Sequence, residues 1–273
     1  MSTYLNNKVV LITGASSGIG EATAYAFARA GCRLSLAARN MEKLNQVKKT
    51  CEQLGSPAVL AVRVDVAVET DCMEWVQKTV TEFGTVHVLI NNAGITMRAL
   101  FNELNLDVMR SVMDINFWGT VYCTKYALPY ILHNQGSVVG ISSVAGIKGL
   151  PARAGYSASK FAMHGFLESL RIENRKNGLH VGIVCPGYTN SNIRTTALNK
   201  QGQPQAESPF DESKLMPAET VADSILNCVV KRKSFSLLSK EAHLTYWLNK
   251  FFPAWVDNLV YRVVAKEKDS PFS

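Results

Sequence analysis

Tyr156 and Lys160 stand four residues apart in Tyr156-Ser157-Ala158-Ser159-Lys160, so on a helix they share a face. Alone, such a pair is an ordinary surface feature. Thirteen residues before Tyr156 comes Ser143, at the end of a predicted strand, and in a doubly wound sheet ligands bind beyond the carboxyl ends of the strands. A phenol can give or take a proton but ionises only near pH 10 when unperturbed. A neighbouring ammonium stabilises its phenolate, and a serine hydroxyl can donate a hydrogen bond to an oxygen on which charge develops.

A second cluster lies near the start of the chain. An apolar run leads directly into Thr13-Gly14-Ala15-Ser16-Ser17-Gly18-Ile19-Gly20, and a helix-forming run follows from Glu21. Glycines let the backbone turn tightly and approach a pyrophosphate, which then rests on the unpaired amides at the helix N-terminus. A dinucleotide site usually adds a carboxylate about 20 positions on, to hold the ribose hydroxyls of NAD. Here that place reads Leu36-Ala37-Ala38-Arg39. A guanidinium binds a 2'-phosphate bidentately, so NADP(H) is expected in preference to NAD(H).

These residues need a frame. From Lys8 onward, short β-branched runs alternate with longer stretches of helical periodicity, the pattern of a parallel sheet covered on both faces. Strands are expected at Lys8 to Thr13, Arg33 to Ala38, Ala58 to Asp65, Val86 to Asn91, Gly136 to Ser142, Leu179 to Val184 and Ser234 to Ser239. Helices are expected at Gly20 to Ala30, Met41 to Leu54, Glu69 to Phe83, Leu106 to Leu132, Tyr156 to Asn177 and Pro217 to Lys231. The fold class is therefore α/β: a single doubly wound Rossmann domain spanning 1–273, with about seven parallel strands and helices on both faces. Residues 191–216 lack a period and read as a lid loop. In 240–273, Leu244, Trp247, Leu248, Phe251, Phe252, Trp255, Val256, Leu259, Val260, Val263 and Val264 recur at helical spacing, with Pro253 splitting the tail in two.

Taken together, the glycine pattern, Arg39, Asp65, Asn91-Asn92-Ala93-Gly94, Asn116, Ser143, Tyr156-x-x-x-Lys160 and Pro186-Gly187 resemble the short-chain dehydrogenase/reductase family, over about residues 8 to 191. The resemblance implies a tetrad of Asn116, Ser143, Tyr156 and Lys160, with Asn116 anchoring a water that relays protons from Lys160. It places Gly14, Ser16, Ser17, Gly18, Ile19 and Gly20 around the pyrophosphate. Asp65 and Val66 would border the adenine, and Asn92, Ala93 and Gly94 would support the cleft. Pro186, Gly187 and Thr189 would lie beside the nicotinamide, with Ser191 standing where the family often has a carboxamide-binding Thr. The implied reaction interconverts a carbonyl and an alcohol, with Tyr156 as general acid in one direction and base in the other.

Ile95, Met97, Leu150, Tyr188 and Ile193 neighbour these motifs and are candidates to line an apolar pocket, which suggests a steroid, retinoid, lipid-derived or xenobiotic substrate. Two other functions compete: a 3-oxoacyl-carrier-protein reductase, and a cofactor-binding regulatory protein without turnover. The tail has three readings: pocket cover, dimer contact, or an interfacial helix pair on anionic lipid, for which Lys231, Arg232, Lys233, Lys250, Arg262, Lys266 and Lys268 supply charge. A homodimer or homotetramer is expected from the family. The net charge of +7 suits an anionic cofactor, an acidic partner or a membrane surface about equally, and the basic residues before Ser191 are too scattered for nucleic acid. Six dispersed cysteines and five histidines without H-x-x-x-H spacing argue for reduced thiols and no metal. The first apolar run, Val9 to Thr13, is too short for a signal-peptide core, so a cytoplasmic location is expected.

Overall fold

The computed structural model describes residues 5–190, 193–205, 215–266, 270 and 272. Seven strands form one parallel sheet: β1 (Val9–Thr13), β2 (Arg33–Ala38), β3 (Val59–Arg63), β4 (Val88–Asn91), β5 (Ser137–Ile141), β6 (His180–Cys185) and β7 (Phe235–Leu237). Their order is β3-β2-β1-β4-β5-β6-β7. The chain leaves β1 toward one edge and returns at β4 to build toward the other. Connections at the carboxyl ends of these two central strands diverge, and a crevice opens between them.

All five residues of β1, and all five of β5, are buried. Period two divides them: Val10 and Ile12 face one core with Phe27, Leu34, Val221 and Ile225. Val9 and Leu11 face another with Trp75, Leu89, Ile131 and Leu167. Helices α1 (Gly18–Arg29), α2 (Met41–Gln53) and α7 (Ala218–Val230) cover the first face. Helices α3 (Glu69–Phe83), α5 (Gly119–His133) and α6 (Ala154–Glu173) cover the second. Burial on both sides is why the strands read as unbroken apolar runs.

The stretch expected as one regular helix from Leu106 to Leu132 departs from that expectation. Helix α4 (Leu106–Met113) passes into a π-helical segment, Asp114–Trp118, before α5 resumes. Such a turn carries one extra residue and resets which side chains face inward. Here the only buried residue of the segment is Asn116.

Helices α8 (Lys240–Phe251) and α9 (Pro253–Ala265) form the tail, with Pro253 starting α9 as its position suggested. Their apolar stripe is largely uncovered. Ala242, Val256 and Val264 are buried, whereas Leu244, Trp247, Phe251, Phe252, Trp255 and Leu259 are exposed. Side chains tie the tail to the domain: Lys148 pairs with Asp257 at 2.5 Å and donates to Asn249 Oδ1 at 2.8 Å, and the rings of Phe235 and Tyr246 lie 5.5 Å apart.

Candidate active site

The first wall of the crevice is the turn after β1. Gly14 (φ +64°) and Gly18 (φ +56°) adopt the left-handed conformation that disfavours any residue with a Cβ. A Cβ on Gly20 would lie 2.2 Å from the Gly14 carbonyl oxygen, and one on Gly14 would lie 2.9 Å from Ala93 Cα. The turn therefore packs backbone against backbone, and the N-terminus of α1 opens onto the crevice without a side-chain cap from Ser17. Asn92 joins β1 to β4 across it, donating from Nδ2 to Thr13 O (2.9 Å) and Gly14 O (3.2 Å). Thr13 Oγ1 in turn accepts from the Asn92 and Ala93 amides, each at 2.9 Å. Bare amides on a helix start are the donors a pyrophosphate needs.

Gly14, Ser16, Ser17, Gly18, Ile19 and Gly20 line one end of a continuous cleft of about 830 Å³. Arg39 lies in the same cleft, exposed, at the end of β2. Lys43, on the first turn of α2, lies beside it and was not singled out from sequence. Its signal was a cation on the first turn of the helix that follows Arg39, although Arg39 itself stands before the helix. Asp65 and Val66 line the cleft too; the Asp65 carboxylate accepts from the Ala67 amide at 3.1 Å.

The other end holds the phenol. Ser143 follows β5 and caps a short turn, its hydroxyl accepting from the Ala145 amide at 3.2 Å. Tyr156 and Lys160 lie on the first turns of α6, both buried and both lining the cleft with Ser143. Lys160 Nζ sits 5.7 Å from the centre of the Tyr156 ring and donates to Ile141 O at 2.8 Å. Burial raises the Tyr156 pKa, while the Ser143 hydroxyl and the Arg153 charge act in the opposite direction. Burial likewise pushes Lys160 down to about 8. Without cofactor, Tyr156 thus holds its proton more firmly than a free tyrosine. The expectation that Lys160, together with a cationic nicotinamide, lowers the phenol concerns the cofactor-bound protein; in the protein alone desolvation dominates, and the lowering influences are Ser143 and Arg153.

Asn116 is placed behind this wall and does not line the cleft. Its Oδ1 accepts from the Ile95 amide (2.8 Å) and its Nδ2 donates to Ile95 O (2.9 Å) and Ser159 Oγ (2.9 Å). It clamps the strand-end segment carrying Asn92, Ala93 and Gly94, all of which line the cleft. A further support not foreseen from sequence is His164, whose Nε2 lies 2.6 Å from Ser142 Oγ. Burial, with the nearby Lys160 charge, lowers this imidazole to about 4 and keeps it neutral.

Ile95, Met97, Leu150, Tyr188 and Ile193 all line the cleft. Met97 and Tyr156 belong to one buried apolar cluster, with Ile95, Leu150 and Leu198 packed against it. Tyr188 is half exposed. Pro186, Gly187 and Thr189 line the cleft as well, with Thr189 Oγ1 donating to Gly187 O at 3.0 Å. Ser191 lies outside the described residues, as do Asn192 and 206–214 of the expected lid. The described part of that lid is tied down: Leu198 N donates to Thr96 O (3.0 Å) and Arg98 N to Leu198 O (2.9 Å). No described residue of α8 or α9 lines the cleft.

Comparison with known proteins agrees with this geometry. The family model described as short chain dehydrogenase matches residues 8–202. A protein named 11-beta-hydroxysteroid dehydrogenase-like 4A from Arabidopsis thaliana is 37% identical over 253 residues, covering 92% of this chain and 83% of that one. Among solved structures, a short chain dehydrogenase/reductase from Burkholderia phymatum in complex with NAD superposes with a TM-score of 0.81 at 25% identity, covering 91% of this chain and 95% of its own. An alcohol dehydrogenase from the archaeon Thermococcus sibiricus, complexed with 5-hydroxy-NADP, gives 0.74 at 25% identity, covering 85% and 96%. The chain is an oxidoreductase belonging to the short-chain dehydrogenase/reductase family.

Proposed function

We propose that this protein is an NADPH-dependent reductase of apolar carbonyl compounds, or the dehydrogenase of the corresponding alcohols. The observation that carries the reading is a buried phenol, Tyr156, opening into an apolar-walled cleft whose far end is a glycine cradle. The cradle suits a dinucleotide because its packed glycines leave α1 amides facing the cleft. Arg39 and Lys43 favour a 2'-phosphate, and β2 ends without a carboxylate to repel one. Relatives named as hydroxysteroid dehydrogenases support including steroids in the substrate class.

When bound, the nicotinamide would supply or accept a hydride at the substrate carbon. Tyr156 gives its proton to the substrate oxygen in reduction and takes it back in oxidation. Ser143 donates a hydrogen bond to that same oxygen as charge grows. Lys160, held by Ile141 O, keeps a positive charge beside the ring and would hold the nicotinamide ribose. Asn116 acts at one remove, fixing the segment that supports the cleft floor.

Initial rates with NADPH and NADH against aldehydes, quinones, steroids, retinal and 3-oxoacyl thioesters test this reading. We expect an apolar class to be reduced with NADPH preferred. Tyr156→Phe should lower kcat by about 10³-fold while cofactor affinity stays within about threefold. Arg39→Asp should move the NADPH/NADH preference by about 100-fold toward NADH. Turnover confined to 3-oxoacyl thioesters would favour the acyl-carrier alternative. Tight NADPH binding with no turnover of any class would favour a regulatory protein.

The uncovered stripe of α8 and α9 supports a further contact, with an anionic membrane surface. Trp247, Phe251, Phe252 and Trp255 are exposed beside Lys240, Lys250, Arg262 and Lys266, the composition of an interfacial helix pair. Among the described residues no helix is long and apolar enough to cross a membrane. Flotation with phosphatidylserine vesicles checks it. Failure to float, together with a dimer in sedimentation, would assign the stripe to a second copy instead.

A further inference from the structure

Among the described residues, four cationic residues are buried to nine-tenths or more: Lys148, Arg153, Lys160 and Arg194. Three of them have acceptors. Lys148 pairs with Asp257, Lys160 donates to Ile141 O, and Arg194 Nη1 donates to Thr189 O at 2.7 Å. Arg153 differs. It is 9% exposed and lines the cleft beside Leu150 and Tyr156, yet among the described residues no carboxylate, carbonyl or hydroxyl accepts from its guanidinium. Its backbone is fully engaged, donating to Leu150 O and accepting from Ser157 N, so the side chain alone is left with five unused donors.

Its nitrogens open onto the cleft and are not sealed in protein: among the described residues the one wholly buried side-chain polar atom without a partner is Asn91 Oδ1. A ligand that enters the cleft can therefore reach the guanidinium. The planar fork of an arginine matches a carboxylate or a phosphate monoester bidentately; Met97, Leu150 and Ile193 give the cleft apolar lining, and Thr96, Arg98, Ser111 and Arg194 give it polar and charged lining. The cofactor's phosphates are accounted for at the opposite end of the cleft by the glycine turn and by Arg39 and Lys43. Arg153 lies on the phenol side, close enough for its charge to act on Tyr156.

We propose that Arg153 seats an anionic group on the substrate, so that the compound reduced is an amphiphile: an apolar carbonyl chain or ring bearing a carboxylate or a phosphate monoester. This rests on the reductase reading for its reaction but not for its binding step. The same guanidinium, once paired, has part of its charge neutralised, which raises the phenol further toward its protonated, acid-competent form.

Binding and turnover test the two readings separately. Octanoate, octyl phosphate and octanol are titrated calorimetrically into the full chain saturated with NADP. One of the two anions should bind at least about tenfold more tightly than octanol, and which one does so names the headgroup. Arg153→Met should abolish that difference, and Arg153→Lys should restore part of it, since lysine keeps the charge but not the fork. Equal affinity for octanol and both anions, or an anion preference that survives in Arg153→Met, would overturn the proposal. In parallel, kcat/KM is compared for 7-oxooctanoate, its methyl ester and the matching ketone phosphate, and the acid-to-ester or phosphate-to-ester ratio should fall at least about tenfold in Arg153→Met. An ester reduced as well as either anion keeps the reductase and removes the anion seat. Arg153-dependent octanoate or octyl phosphate binding without any turnover keeps the seat and removes the reductase.

Discussion

Lys160 is a charged group held where water barely reaches, at 3% exposure, and the protein without cofactor tolerates this at a cost. Its folded pKa of about 8 lies below the ordinary value of 10.5, so folding favours the neutral amine. The penalty is fully present below about pH 8 and is relieved as pH rises toward 10.5. Lys160→Met should therefore be more stable than the parent by about 1–2 kcal/mol at pH 7, after the lost bond to Ile141 O is counted. That advantage should disappear as pH rises from about 8 toward 10.5 and give way to the loss of the Ile141 O bond, which urea titrations at several pH values will show. Enzyme turnover in the same variant should fall, so stability and activity move in opposite directions. Sequence made Tyr156, Lys160 and Ser143 legible because their spacing is specific. Arg153 was not legible, since three residues before a tyrosine an arginine looks like any solvated helix start, and only packing reveals that it is buried.

At the scale of elements, the π-helical segment Asp114–Trp118 shows where periodicity stops informing. Leu106 to Leu132 carries a helical pattern throughout, and no residue type marks the extra residue per turn. The structure shows its effect: Asn116 turns toward Ile95 and makes three hydrogen bonds with it and Ser159. Asn116→Ala would leave the Ile95 amide and carbonyl without partners, at a cost of about 2–4 kcal/mol. We expect the variant to melt several degrees lower, and its KM for cofactor to rise more than its kcat falls, because Gly94 and its neighbours lose their support. An unchanged melting temperature would make the clamp dispensable. All seven strands were readable to within two residues at each end, and the central ones are mostly apolar because they are buried on both faces. The tail helices were readable as helices but not as uncovered ones, since an apolar stripe looks the same whether protein covers it or not.

Across the whole molecule, the cleft is assembled from distant parts of the chain. Its two central strands, β1 and β4, pair Val10 with Val88 and Ile12 with Ile90, nearly 80 residues apart in sequence, and Asn92 crosses the same gap to Thr13. On a growing chain, neither wall of the cradle can close until β4 has been made and has left the ribosome, and the phenol arrives some 60 residues later still. Nucleotide present during refolding therefore finds nothing to hold before β1 and β4 have paired. Saturating NADPH should slow unfolding at least tenfold in stopped-flow denaturant jumps while leaving the refolding rate within about twofold. A refolding rate that climbs with nucleotide would mean the cradle closes earlier than this topology allows. For a newly made molecule, the cofactor is then a lock turned after the door has shut, and cells short of it would lose finished protein faster without making it more slowly.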